Sequence, residues 1–558
     1  MKLSRLCSVL ERLEGGRVID FQERDVTGIA YDSRRVKPGY LFVALQGSKA
    51  DGHTFILEAV EKGAVAVVTE KVVSLARDEV PKQSRFSFGR LLRCARNDGV
   101  FLGTTSDTRS SAEKQESDNQ EAKAEAGCLT QIVVPSSRKA LACLASHFYG
   151  EPSKYLTCIG VTGTNGKTTI SYLLRSILEA AGNKVGLIGT VTCFTGLRCI
   201  SSSHTTPESL ELHGLFKEML NYGITHVVME VSSHALMQNR VHGIDFKVAI
   251  FTNLSQEHLD YHKDMESYRD AKVLLFRSLS PEAAAVLNAE DPASQYFAKH
   301  TRAQILWYYP KATKGIRGEI LSTSLEGTEL ILTDGQEELL VKSHLIGKHN
   351  FYNLLAAATA AKALGVRLSE IKKGIESLEG PPGRLERIPG REFHVFIDYA
   401  HTPHALEAVL ETLGPLVEKR LLLVFGCGGD RDRGKRPLMG QVAEKYADLF
   451  WLTSDNPRSE HPIEIIKEIE RGITGKSYRI EPDRRLAIEQ ALSHAAKGDV
   501  VLIAGKGHEQ TQDLGKLVIP FDDREVVKWV LSGKPLKGKE PVEELEHVAL
   551  SVAEGVVG

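Results

Sequence analysis

The chain has 558 residues with 70 basic and 72 acidic side chains, for a formal net charge of −2. This length predicts about three to four domains, and the balanced charge excludes a broad basic field for nucleic acid or anionic lipid. Eight cysteines without a CxxC pair argue against a zinc site or a disulfide framework.

The N-terminal stretch from Met1 to Gly16 is amphipathic, carries Arg5, Glu11, Arg12 and Glu14, and lacks the apolar core of a signal peptide. No uncharged apolar run is long enough to span a bilayer. A reduced, soluble, cytoplasmic protein is expected, with no nucleic-acid partner and no membrane insertion.

The first domain is expected over 1–150. Val26 to Tyr31 and Tyr40 to Leu45 alternate like strands, His53 to Gly63 reads as a helix, and Ala64 to Thr69 as a short buried strand. Asp32-Ser33-Arg34-Arg35 and Gly47-Ser48-Lys49-Ala50-Asp51-Gly52 are polar turns at strand ends, where α/β folds bind ligands. Each alone is also an ordinary turn composition. From Asp107 to Ala126 alanine is the only apolar residue type. Residues 74–128 are therefore expected to form a disordered insertion, with a partner-docking loop as the alternative. A strand at Leu129–Val134 and a helix from Ser136 to Phe148 resume the domain.

A second domain is expected over 151–383. It opens with Thr157-Cys158-Ile159-Gly160-Val161-Thr162, a buried strand, followed by Gly163-Thr164-Asn165-Gly166-Lys167-Thr168-Thr169 and a helix. Glycines let backbone N–H groups close on a phosphate chain, and a helix start adds positive partial charge. Lys167 can reach the outer phosphates and the Thr168 hydroxyl can ligate Mg²⁺. The spacing departs from the common form, with Val161 five residues before Gly166. Further strands are expected at Lys184–Ile188, His226–Val231, Val248–Leu254 and Ala284–Asn288, giving a doubly wound sheet. Gly318–Val341 reads as a hairpin pair turning at Thr333-Asp334-Gly335. Helices follow at Asn350–Leu364 and Ser369–Leu378.

Three stretches of this domain fit service to the phosphates. Glu230, at the end of a strand, suits a Mg²⁺ ligand. His258 and His262 lie four apart, but Leu259 stands where an HExxH zinc site needs glutamate, so His258 beside Mg²⁺ is the better reading. Lys272, read by itself in Tyr268-Arg269-Asp270-Ala271-Lys272-Val273, is a surface lysine.

A third domain is expected over 384–535, with strands at Phe393–Ile397, Leu421–Phe425, Ala447–Leu452 and Val500–Ala504, and a tail over 536–558. Three charged loops end strands of this sheet. The first, Gly426 to Arg436, holds Arg431, Arg433, Arg436 and Lys435 and suits phosphate or carboxylate. The others are Thr453-Ser454-Asp455-Asn456-Pro457-Arg458 and Ala504-Gly505-Lys506-Gly507-His508-Glu509. The fold class is α/β in three domains: an N-terminal α/β domain, a central phosphate-loop parallel sheet and a C-terminal Rossmann-like domain.

Taken together, Gly160-x-x-Gly163-Thr164-Asn165-Gly166-Lys167-Thr168, Glu230-Val231-Ser232-Ser233-His234, Asn253-Leu254 with His258 to His262, Gly347-Lys348-His349-Asn350 with Asn353, Asp398 to Pro403 and Gly428-Gly429-Asp430-Arg431 resemble the Mur ligases. These are ATP-dependent, amide-bond-forming, ADP-producing enzymes of peptidoglycan precursor synthesis. The resemblance covers nearly the whole chain except 74–128 and the tail.

It implies that Gly163, Thr164, Asn165, Gly166, Lys167, Thr168, Thr169, Asn288 and Asp291 bind ATP. Thr168 and Glu230 would hold one Mg²⁺, and His258 with Lys272, as a carbamylated lysine (N6-carboxylysine), a second. Lys167, Glu230, His258 and Lys272 form the implied catalytic set. Ser33, Ser48, Lys49 and Ala50 match uridine-side positions, and Thr205, Thr206, Ser232, Gln238 and Arg240 surround a UDP-muramoyl dipeptide. Relatives often carry asparagine where His204 stands. Arg431, Asp455, Asn456, Pro457, Arg458, Gly505 and Glu509 match positions that take meso-diaminopimelate; lysine-adding members usually differ at the arginine. The partners implied are these small molecules, acting on a monomer. A lysine-adding or folylpolyglutamate synthetase-like relative, and a phosphate-loop NTPase module without ligase activity, are the alternatives.

Overall fold

The structure is a computed structural model, and it describes residues 1–10, 16–47, 50–73, 129–201, 204–310, 315–390, 392–475 and 477–533. Ser48, Lys49, the insertion expected at 74–128 and the tail expected at 536–558 lie outside the described residues. Two compact units emerge. One joins Met1–Ile316 to Leu355–Gly374; the other contains Arg317–Leu354 and resumes at Ile375.

The first unit holds two sheets. The N-terminal sheet is built from β1 (Arg17–Ile19), β2 (Gly28–Ala30), β3 (Tyr40–Val43), β4 (Ala66–Thr69) and β5 (Thr130–Val133), in the order β1-β5-β4-β3-β2. Strands β2 to β5 run parallel, and β1 pairs antiparallel with β5. All four residues of β4 and β5 are buried, as a sheet covered on both faces requires. β1 has no signature in the sequence: it is three residues long and largely exposed. Where a helix is expected over His53–Gly63, a 3₁₀ turn (Gly52–Phe55) leads into a helix only over Ile56–Glu61.

The second sheet comprises β6 (Thr157–Thr162), β7 (Val185–Ile188), β8 (Thr192–Phe194), β9 (Cys199–Ser201), β10 (His226–Glu230), β11 (Phe246–Phe251), β12 (Ala284–Asn288) and β13 (Gln304–Tyr308). Its order is β13-β12-β11-β6-β10-β7-β8-β9. From β13 to β7 every pair is parallel; β8 and β9 extend the edge antiparallel. β6 therefore lies between β10 and β11, and the loops after these three strands share one end of the sheet. That is where doubly wound sheets place their ligands.

In the second unit, β14 (Arg317–Ser324), β15 (Gly327–Thr333) and β16 (Glu338–Ser343) form the antiparallel meander expected as a hairpin pair. The larger sheet contains β17 (Glu386–Ile388), β18 (His394–Asp398), β19 (Leu421–Phe425), β20 (Leu449–Leu452), β21 (Tyr478–Ile480) and β22 (Val500–Ala504), in the order β17-β18-β22-β19-β20-β21. Only β17 is antiparallel. β19 and β22 are buried throughout, which explains their unbroken apolar sequence. A small ribbon, β23 (Thr511–Asp513) with β24 (Val518–Pro520), follows.

Candidate active site

β6 ends in the turn Gly163–Gly166, and Gly166 caps the helix Lys167–Ala180. Gly163 has φ +145°, and a Cβ there would lie 1.8 Å from Thr252 Oγ1, so the turn needs glycine. The turn is clamped from the β11 loop: Asn165 N donates to Asn253 Oδ1 at 3.0 Å, and Thr252 Oγ1 donates to Asn165 O at 2.6 Å. That loop is itself braced, because Asn288 Nδ2 donates to Thr252 O at 2.9 Å and Leu254 N to Asp291 Oδ2 at 2.8 Å. Lys167 Nζ donates to Gly163 O at 2.9 Å and Thr164 O at 2.6 Å, holding its charge over the turn. Thr169 is buried behind it.

Thr168 Oγ1 donates to Glu230 Oε1 at 3.0 Å. The same carboxylate accepts Thr190 N at 3.0 Å on Oε1 and Thr190 Oγ1 at 3.0 Å on Oε2. Glu230 is 1% exposed, and among the described residues no cation pairs with it. Buried carboxylate and hydroxyl oxygens together are the hard donor set that Mg²⁺ takes. Thr190 Oγ1 also lies 3.0 Å from Thr205 Oγ1, and Thr206 Oγ1 donates to Glu230 O at 2.8 Å. Arg240 Nη1 donates to Thr206 O at 2.7 Å, and its Nε and Nη2 both reach Gln238 Oε1. Ser232 caps the helix Ser233–Met237 and donates its own N–H to Thr206 Oγ1 at 3.1 Å. Thr205, Thr206, Ser232, Gln238 and Arg240 thus form one network against Glu230.

Lys272 corrects the expectation of a surface side chain. It is 1% exposed on the buried face of the helix Met265–Arg277, four residues after the fully buried Tyr268. Its Nζ donates to Gly163 O at 2.8 Å and lies 4.3 Å from the Tyr268 ring centroid. Burial drives its ammonium well below lysine's usual range, the charge of Lys167 adds to this, and Glu257 opposes it. His258 is exposed, in the left-handed region at φ +55°, with its ring 6.2 Å from that of Tyr268. His262 is buried and Nε2 lies 2.9 Å from Ser233 Oγ, so its role is to tie this loop to the Glu230 segment.

In the N-terminal sheet, a cavity of about 510 Å³ opens between Tyr31, Asp32, Arg34 and Arg35 and a wall of His204, Pro207, Glu208 and Glu211. Tyr31 OH donates to Glu211 Oε1 at 2.8 Å across it. Ser33 is turned inward, donating to Glu58 Oε2 at 2.8 Å, and Ala50 O accepts Gly47 N at 3.0 Å; neither lines this cavity.

The second unit gathers the loops after β19, β20 and β22. Asn456 Nδ2 donates to Glu509 Oε2 at 2.8 Å, and Arg458 Nη1 to Gly429 O at 2.6 Å. Arg458 has φ +53°, a conformation non-glycine residues rarely adopt, which the surrounding loops hold. Pro457 is buried, and its carbonyl lies against Gly429. Gly505 stands beside Asp455, whose Oδ2 would be 2.6 Å from any Cβ there. Burial raises the Glu509 carboxyl, but the charge of Lys506 and hydrogen bonds from Lys506 and Asn456 carry it below the usual range.

In the cation-rich loop 426–436, expected to suit phosphate or carboxylate, three of the four cations are engaged within the protein. Arg433 and the fully buried Arg436 pair with Glu460 and Glu468, and Lys435 Nζ donates to His401 O at 2.7 Å. Arg431 is exposed, and among the described residues it has no ion-pair partner.

Three family models match: the "Mur ligase family, catalytic domain" over residues 25–149, the "Mur ligase middle domain" over 161–361, and the "Mur ligase, glutamate ligase domain" over 383–507. The UDP-N-acetylmuramoyl-L-alanyl-D-glutamate–2,6-diaminopimelate ligase of Caldanaerobacter subterraneus subsp. tengcongensis is 44% identical over 91% of this chain and 95% of its own. The chain belongs to the Mur ligase family. A relative of the same name from Geobacillus thermodenitrificans is 42% identical over 94% of this chain and 98% of its own. A solved structure of an enzyme of that name superposes with a TM-score of 0.62 at 33% identity, covering 92% of this chain and 97% of its own.

Within this Mur ligase frame, the sequence reading missed Thr190 and Lys506. Thr190 follows Gly189, where a Cβ would lie 2.3 Å from Glu230 Oε1. That glycine–threonine pair after the β7 strand was the available signal. Lys506 reads in the sequence only as part of a charged loop; its burial depends in part on Asn456, 50 residues away.

Proposed function

We propose that this chain is an ATP-dependent ligase that adds meso-2,6-diaminopimelate to UDP-N-acetylmuramoyl-L-alanyl-D-glutamate in peptidoglycan precursor synthesis. The observation that carries the reading is one cluster of loops that offers the Arg458 guanidinium, donating to Gly429 O, and the Glu509 carboxylate, accepting from Asn456. An acceptor ending in both a carboxylate and an ammonium matches that pair. Lysine lacks the carboxylate and would forgo the charge-assisted bond to the guanidinium, a basis for discrimination.

The γ-phosphoryl group of ATP passes to an oxygen of the dipeptide's terminal carboxylate, and ADP leaves. The amine nitrogen of diaminopimelate then attacks the carbonyl carbon of this acyl phosphate. The tetrahedral intermediate expels inorganic phosphate, and the nitrogen gives up a proton. Such phosphoryl transfer is mostly positioning and charge neutralisation. The backbone of Gly163–Gly166 cradles the phosphates and Lys167 offsets their outer charge. Asn288 and Asp291 serve the adenine side. Thr205, Thr206, Ser232, Gln238 and Arg240 orient the dipeptide, with Ser33, Ser48, Lys49 and Ala50 on the uridine side.

Thr168 and Glu230 would hold one Mg²⁺, and His258 with Lys272 a second. Mg²⁺ supplies charge neutralisation at the phosphates when bound. The neutral amine favoured at Lys272 is nucleophilic toward carbon dioxide, and the resulting carbamate would present oxygen ligands. The division proposed is 1–150 for the nucleotide sugar, 151–383 for ATP and 384–535 for the amino acid. A cytoplasmic monomer is proposed, and no helix among the described residues is long and apolar enough to cross a membrane.

The test is isotopic. With ¹⁸O in the dipeptide carboxylate, label should appear in inorganic phosphate only when diaminopimelate is present. Phosphate that is released without label would contradict the acyl phosphate, and release indifferent to any acceptor would favour a plain NTPase.

A further inference from the structure

Lys506 lies in the loop after β22 and is 0% exposed. Burying an ammonium is costly unless it is paired and hydrogen-bonded. Here Nζ donates to Glu509 Oε2 at 2.9 Å and to Asn456 Oδ1 at 3.0 Å. Asn456 Oδ1 also accepts Asp513 N at 3.0 Å, while its Nδ2 donates to Glu509 Oε2. The amide is thereby fixed in one orientation: oxygen toward two donors, nitrogen toward a carboxylate. Glu509 gives Oε2 to both Lys506 and Asn456. Among the described residues its Oε1 accepts nothing, and the side chain is 31% exposed.

Three carboxylates line these loops: Asp513 Oδ2 lies 3.6 Å from Arg458 Nε, Asp455 stands beside Gly505, and Glu509 accepts from Lys506. Remove Lys506 and the cluster becomes more negative by one charge. Excess negative charge favours an acceptor whose end is a simple cation over one whose end is a zwitterion.

We propose that Lys506 is a positioning residue that sets acceptor selectivity: it fixes the Asn456 amide and engages one oxygen of Glu509, so that the pocket takes a zwitterionic end group ahead of a lone ammonium. The inference rests on the function proposed above. Lys506 touches no substrate in this account; it acts through Asn456 and Glu509.

The test compares the full-length chain with its Lys506→Met, Lys506→Gln and Lys506→Arg variants, using meso-diaminopimelate and L-lysine as acceptors and reading KM, kcat and Tm. Lys506→Met should raise KM for diaminopimelate about tenfold or more with kcat at saturation within about threefold. Its preference for diaminopimelate over lysine, as a ratio of kcat/KM, should fall about tenfold. Lys506→Gln keeps a donor for Asn456 but no charge, so it should recover part of KM and none of the preference. Lys506→Arg should keep the preference. Should Lys506→Met fail to fold, the Gln and Arg variants carry the same comparison. Equal losses for both acceptors, tracking a lower Tm, would reduce Lys506 to a structural support and overturn the proposal. A wild-type chain that does not use diaminopimelate would instead overturn the function on which it rests.

Discussion

At the scale of single residues, the decisive features are buried polar groups whose partners come from distant parts of the chain. Thr168, Thr190 and Glu230 meet although 62 residues separate the first from the last. Thr190→Val keeps the backbone N–H to Glu230 and removes the hydroxyl donor, so kcat should fall about tenfold with ATP affinity little changed, as steady-state kinetics would read. Lys272 is a second case. Lys272→Ala should lower kcat at least about a hundredfold, and added formate should restore part of it by supplying the oxygens a carbamate provides. Rescue by methylammonium and not by formate would mean the ammonium itself is the working group.

Lys272 also makes stability depend on pH. Its folded-state pKa is lowered, so the unfolded chain binds the proton more tightly, and burial at this position costs stability below the folded pKa. That penalty disappears as pH rises toward lysine's ordinary value. In buffer free of carbon dioxide, where no carbamate forms, Lys272→Met should therefore gain Tm relative to wild type at neutral pH and lose that advantage at alkaline pH.

At the scale of elements, the loop 429–436 is held to the 457–468 segment by ion pairs. Glu460 accepts Asp430 N and pairs with Arg433 and Arg436. Hydrogen bonding to Arg436 leads the causes that outweigh burial and hold its carboxyl down to about 2. The folded pKa is depressed, so this stability is present above about 4.5 and is lost as pH falls from there toward about 2. Glu460→Gln should cost about 2 kcal/mol at pH 7, and the difference from wild type should vanish near pH 2 in denaturant titrations.

The elements that the sequence made legible are those with local signatures. β6 and its turn, β10 ending in Glu230, and the apolar runs β19 and β22 appear where expected, because both faces are buried and the runs are continuous. The short strands β1, β8, β9, β17, β21, β23 and β24 carry no signature in the sequence. Each has three residues and draws its stability from a neighbouring strand rather than from its own pattern. The same reasoning covers the site. Phosphate-loop residues are contiguous and legible, whereas the burial of Lys272 and Lys506 is set by contacts to Gly163 and Asn456.

At the scale of the molecule, each unit carries its own polar anchor. In the second, Arg484 and Asp523 are both 0% exposed and paired at 2.7 Å, and Arg484 Nη2 also donates to Ala504 O, just before Gly505. Asp523→Ala should cost about 3–5 kcal/mol, because it strands a buried guanidinium, while an Arg484→Leu/Asp523→Leu pair should cost less. Chemical denaturation of the two variants measures the difference. As a whole, the chain is proposed to build one product from one acceptor. An equimolar mixture of meso-diaminopimelate and L-lysine, supplied with ATP, Mg²⁺ and UDP-N-acetylmuramoyl-L-alanyl-D-glutamate and read by mass spectrometry of the nucleotide product, tests it directly. The diaminopimelate tripeptide should form almost exclusively; a product dominated by lysine, or ADP formed with no tripeptide at all, would overturn the proposed function.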